Sequence, residues 1–169
     1  MNLERIRAWL AAGLVCAALT APAVALEKGD KAPDFSAPGV AGGTISLAAY
    51  RGKVVYLDFW ASWCGPCAQA LPALDKLRQE FGSDDFQVVA VNVDRSPKLA
   101  QAFLKKRPIG YPSAIDPKGS LPARFGVDSM PTSFLIDRSG VVRHVKRGFR
   151  EGDVAPLREQ IQKLVAEAR

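Results

Sequence analysis

Two of the chain's three cysteines stand two residues apart in the run Trp63-Cys64-Gly65-Pro66-Cys67. Thiols at this spacing can close and reopen a disulfide, which makes the pair a two-electron redox couple. If a helix begins at Cys64, its side chain meets unpaired backbone N–H groups and the positive end of the helix dipole, which stabilise a thiolate. Cys64 is then the nucleophile. Cys67, three residues on, faces inward beneath it, shielded from solvent yet able to attack a mixed disulfide formed at Cys64. Pro66 suits the first helical turn, where its missing N–H costs nothing and its fixed φ pre-forms the helix. Two other uses of the pair fit less well. A zinc site needs four ligands, and beyond the pair the chain offers only His144 and Cys16, which lies in a leader segment. A structural bridge over two residues closes too short a loop to restrict the unfolded chain much.

The elements that would position the pair follow from hydropathy. Lys53 to Trp60 is a continuous β-rich run, the pattern of a central strand buried on both faces, and it places the cysteines at the strand's C-terminal end. From Pro66 to Phe81 the residues Cys67, Leu71, Leu74, Leu77 and Phe81 follow helical spacing, with a kink expected at Pro72. Phe86 to Val93 is the next strand. Ser96 and Pro97 open a helix that Pro108 stops. Ser120 to Phe125 reads as a short helix before Gly126. Pro131–Asp137 and Val141–Lys146 read as a hairpin across Arg138-Ser139-Gly140. Gly152-Asp153 starts a last helix whose Val154, Leu157, Ile161, Leu164 and Val165 form one stripe.

At 169 residues, 48% hydrophobic and free of repeats, the chain can bury one ordinary core. The net charge of +6 is modest. Lys105, Lys106 and Arg107 cluster at a helix C-terminus, where cations favour the dipole. Arg143, Lys146, Arg147 and Arg150 alternate with apolar residues along a strand, and His144 sits among them. Both groups read as solvated faces, and no aromatic-interleaved basic platform points to nucleic acid. At the N-terminus, Arg5 and Arg7 precede an apolar stretch from Ala8 to Val24, and Ala21-Pro22-Ala23-Val24-Ala25 has the small residues of a signal-peptidase site. Residues 1–25 are thus expected to be a signal peptide and residues 26–169 the folded domain. Cleavage would remove Cys16, which no convincing lipobox precedes, since Val15 stands before it. The rival is an uncleaved membrane anchor.

Val55 to Cys67, VYLDFWASWCGPC, resembles the thioredoxin superfamily almost residue for residue. Lys28 to Tyr50, with its GDKAPDF opening, resembles the extra N-terminal hairpin of exported TlpA/ResA-type thiol-disulfide reductases. Val89–Asp94, the helix after it, and Met130–Asp137 match that subgroup too. The resemblance implies an α/β thioredoxin fold with an extra N-terminal hairpin and a central helix-containing insertion. It also implies roles. Asp58, six positions before Cys64, matches the acid that exchanges a proton with the inner cysteine, and burial would raise its pKa towards neutrality. Pro131 matches the cis-proline that faces the dithiol, keeping a backbone edge open at Met130 for strand-like pairing with substrate. Trp63 would shield the dithiol and offer an apolar contact surface. Trp63, Gly65, Pro66 and Met130 together would meet the substrate, whereas Trp60 belongs to the core.

The expected function is that of a periplasmic thiol-disulfide oxidoreductase without cofactor or metal. It would reduce exported client proteins, with cytochrome c maturation or copper-site assembly as settings, and be recharged by a membrane thiol-transfer electron donor. Gly65-Pro66 is the dipeptide of reducing thioredoxins, while export by itself favours an oxidant. Two alternatives stand beside it. One is a thioredoxin-fold peroxidase, suggested by the GDKAPDF opening but lacking a threonine or serine at Ala61. The other is a Cu(I)-binding metallochaperone using soft sulfurs, Met130 included.

Overall fold

A computed structural model describes residues 25–167. The expected leader, with Cys16, therefore lies outside the described residues. Among those described, no helix is long and apolar enough to cross a membrane.

The centre of the fold is β3 (Val54–Trp60), preceded by a short hairpin of β1 (Ser36–Pro38) and β2 (Thr44–Ser46). After it come α1 (Gly65–Phe81), β4 (Phe86–Asn92), α2 (Pro97–Lys106), β5 (Ser113–Ile115), α3 (Ser120–Phe125), β6 (Thr132–Ile136), β7 (Val142–Arg147) and α4 (Val154–Ala166). The main sheet has the order β5-β4-β3-β6-β7. β3 pairs parallel with β4 and antiparallel with β6. Every residue of β3 and of β4 is buried, which is why neither strand alternates in sequence.

Alternation survives in three dimensions instead. Val54, Tyr56 and Trp60 enter a core with Cys67, Leu71, Leu74 and Leu77 of α1 and Leu157, Ile161 and Leu164 of α4. Val55, Leu57 and Phe59 enter the opposite core, beneath α3. There Phe59, Phe125 and Phe134 meet with ring centroids 5.3–6.1 Å apart. Asp58 has the parity of Tyr56 and Trp60, so it belongs to the face covered by α1.

The expected elements are present, and two details differ, β5 and the entry to α4. β5 has no counterpart among the sequence expectations. It lies at the sheet edge, where the N-terminal hairpin covers it through a Gly39–Ala114 bridge and a Val40 N–H to Ser113 carbonyl bond of 2.8 Å. α1 runs through Pro72 as one helix, and beside that proline the Tyr111 hydroxyl donates to the Leu71 carbonyl at 3.0 Å. Finally, α4 is entered through a 3-10 turn, Glu151–Asp153. The architecture is a thioredoxin fold carrying the extra hairpin and the α2–β5 segment.

Candidate active site

β3 ends at Trp60, whose indole N–H donates to the Ser113 hydroxyl at 3.0 Å and whose ring packs on Phe103 of α2. The chain then turns through Ala61–Trp63 into α1. Asp94, at the end of the neighbouring strand and 1% exposed, holds that turn. Its carboxylate accepts the Ser62 N–H at 3.2 Å, the Ser62 hydroxyl at 3.1 Å and the Asn92 amide at 2.9 Å. These bonds tie the turn before the cysteines to the C-terminal end of β4.

Cys64 is the N-cap of α1, with φ −88° and ψ 107°, and its Sγ accepts the Cys67 N–H at 3.2 Å. Pro66 occupies the first helical turn. Cys64 and Cys67 are joined as a disulfide with S–S 2.02 Å and Cα–Cα 5.3 Å. Cys67 has no exposure, and Cys64 retains 5%. Gly65 and Pro66 are exposed between them, and a side chain at Gly65 would meet nothing within 4 Å. Trp63 is 70% exposed. It stands with Cys64 along the wall of an open groove.

Asp58 has no exposure at all. Its Oδ1 accepts a 2.7 Å hydrogen bond from the Ser133 hydroxyl, the residue directly across from it on β6. Its Oδ2 is buried with no partner. Burial in the low-dielectric core disfavours the charged form and pushes the carboxyl up to about 7, against the pull of the Ser133 bond. The Tyr56 phenol, one turn of the pleat away, is also pushed up, first by burial and then by the Asp58 charge. Tyr111 responds in the same order.

The Met130–Pro131 peptide bond is cis. Because Thr132 pairs with Phe59, Pro131 lies level with Trp60, at the end of the sheet from which the cysteine turn departs. β6 starts only at Thr132, leaving the Met130 main chain outside the ladder. Met130 itself packs partly buried against both cores. His144 lies half-buried on β7, where burial and the nearby Lys146 and Lys28 lower its pKa. Among the described residues no cluster of three or more His, Cys, Asp or Glu could hold a metal.

The fold and the redox disulfide at a helix N-terminus define a thioredoxin-fold thiol-disulfide protein. The chain belongs to the Redoxin family, whose model matches residues 27–161. It is 40% identical over 128 residues to the thioredoxin-like protein YneN of Bacillus subtilis, covering 74% of each chain. It is 32% identical over 139 residues to the thiol-disulfide oxidoreductase ResA of Bacillus thuringiensis subsp. konkukian, covering 82% of this chain and 79% of the other. Among solved structures, a Chlorobium tepidum protein assigned as a thiol:disulfide interchange protein DsbE superposes with a TM-score of 0.81 at 48% identity, over 84% of this chain and all of that one. The chain is a thiol-disulfide oxidoreductase.

Proposed function

We propose that the chain is an exported disulfide reductase acting on client proteins in the periplasm, with Cys64 as nucleophile and Cys67 as resolving thiol. The observation that carries this reading is the arrangement around the pair. One cysteine caps a helix N-terminus and keeps 5% exposure, the other is fully buried, and on the same face of the sheet lies a buried carboxyl with one unpartnered oxygen.

In the reduced protein the Cys64 thiolate attacks a client disulfide. A Cys64–client bond forms, the client bond breaks, and the departing client sulfur takes a proton. Cys67 then gives its proton to the Asp58 carboxylate and attacks Cys64 Sγ, so that the Cys64–Cys67 bond forms and the second client sulfur leaves and is protonated. The client gains two electrons and two protons, and the protein ends in the disulfide form. A carboxyl titrating at about 7 can both accept and return a proton near neutral pH. The open main chain at Met130, beside Pro131, suits strand-like pairing with the client segment. Trp63, Gly65 and Pro66 form the exposed surface that meets it.

Export is supported by Arg5, Arg7 and the apolar stretch that follows. A membrane thiol-transfer donor would return the electrons, and haem-protein maturation or copper-site assembly would supply the clients. The test is Cys67→Ser, which leaves Cys64 unable to be released. Mixed disulfides with exported proteins should accumulate and vanish on reduction. If the variant traps no more than one that also lacks Cys64, the reductase reading fails.

A further inference from the structure

Among the described residues only two large hydrophobic side chains are strongly exposed, Trp63 at 70% and Leu99 at 49%. Trp63 stands beside Cys64, and Leu99 lies on α2. Between Cys64 and α2 runs an open groove of about 340 Å³, walled by Trp63, Cys64 and Ala68 on one side and by Phe103, Lys106 and Arg107 on the other. That volume is enough to seat a few residues of an extended chain.

The charge along α2 is one-sided. From Arg95 to Arg107 the sequence carries Arg95, Lys98, Lys105, Lys106 and Arg107 and no acidic residue; Lys106 and Arg107 line the groove itself, whereas Lys105 faces the N-terminal hairpin beside Val40 and Gln101. All five are exposed, and none takes part in the ion pairs that occupy Arg51, Arg78, Arg138, Arg143, Lys146, Arg147 and Arg158 elsewhere. Asp94, which precedes this stretch, is buried and spent on Ser62 and Asn92. Arg107 also has a ring contact at the groove. Its guanidinium lies 5.7 Å over the Phe103 ring, and Phe103 packs 5.2 Å from the Trp60 ring in the core. A dipole-favoured helix C-terminus accounts for cations at Lys105 and Lys106, but it accounts neither for Arg95 and Lys98 at the other end nor for the groove.

We propose that this groove docks an acidic, extended segment of the client protein, so that the chain selects disulfides flanked by aspartate or glutamate. The inference rests on the reductase reading and names its substrate class. Trp63 and Phe103 supply apolar contact next to Cys64, while Lys106 and Arg107 pair with carboxylates and the outlying cations steer the approach. A protein segment fits better than a membrane surface because Cys64 itself lines the groove and must reach a disulfide there.

The experiment uses the reduced mature protein and short synthetic peptides, each with one intramolecular disulfide flanked by glutamates, serines or lysines. At low ionic strength the glutamate peptide should be reduced about tenfold or more faster than the lysine peptide. The ratio should collapse towards one at about 1 M salt, where the screening length falls to about 3 Å. In the double variant Lys106→Glu/Arg107→Glu the ratio should invert, and in Lys106→Gln/Arg107→Gln it should shrink. Because each ratio is taken within one protein, any change in Cys64 reactivity cancels. Reduction of all three peptides at equal rates overturns the docking inference alone. Failure to reduce even the serine peptide overturns the reductase reading beneath it. Equal peptide rates together with salt-sensitive binding to phosphatidylglycerol vesicles would assign the cations to a membrane surface instead.

Discussion

Replacing Asp58 by asparagine should stabilise the protein, and by an amount that depends on pH in a defined way. The carboxyl is wholly buried, and its midpoint rises from 3.8 in the unfolded chain to about 7 in the folded one, chiefly because burial penalises the charge. That displacement corresponds to roughly 4 kcal/mol. Below about pH 4 the carboxyl is protonated in both states, and the stability it confers is fully present. Between pH 4 and 7 only the unfolded chain releases the proton, so stability falls by about 1.4 kcal/mol per pH unit. Above pH 7 both states are ionised, and the loss is complete. Asparagine does not titrate, keeps an oxygen to accept from Ser133, and resembles the neutral acid in shape. The variant should therefore match the wild type near pH 4 and exceed it by roughly 4 kcal/mol at pH 8 and above. Urea unfolding of both oxidised proteins across this range measures the difference, in which titrating groups not coupled to Asp58 cancel. A difference that stays flat with pH, or a variant less stable at pH 8, would refute the burial argument.

Ser133→Ala removes the donor that favours the ionised carboxylate, so the Asp58 midpoint should move above about 7. Carbon-13 NMR of the carboxyl would follow it, and the variant should lose more stability at pH 9 than at pH 5, by about 1–3 kcal/mol for the unpaired charge. Alkylation of the reduced protein near neutral pH should modify Cys64 far faster than Cys67, given their 5% and 0% exposure in the folded chain. Equal rates would contradict the assigned roles.

Much of the site was readable because its chemistry is local. Cys64, Gly65, Pro66 and Cys67 carry their own helix signal, and Asp58 stands out as the single charge in an apolar strand. What escaped depends on pairing across the chain. Ser133 bonds Asp58 from 75 residues away, and nothing in its neighbours marks it. Asp94 reads locally as the end of a strand, yet its work is to hold Ser62, 32 residues earlier. β5 is three residues long and follows Pro112, too short for alternation to register. The α2 cations were visible as a charge cluster, but the groove that gives them a partner exists only once Phe103 is seated on Trp60.

The claim that the Cys64–Cys67 couple works as a reductant is tested most directly by its reduction potential, measured by equilibration with glutathione at neutral pH. The account predicts a potential in the reducing range of thioredoxins and glutaredoxins, about −200 mV or below. A value near the roughly −120 mV of a strong periplasmic oxidant would contradict it.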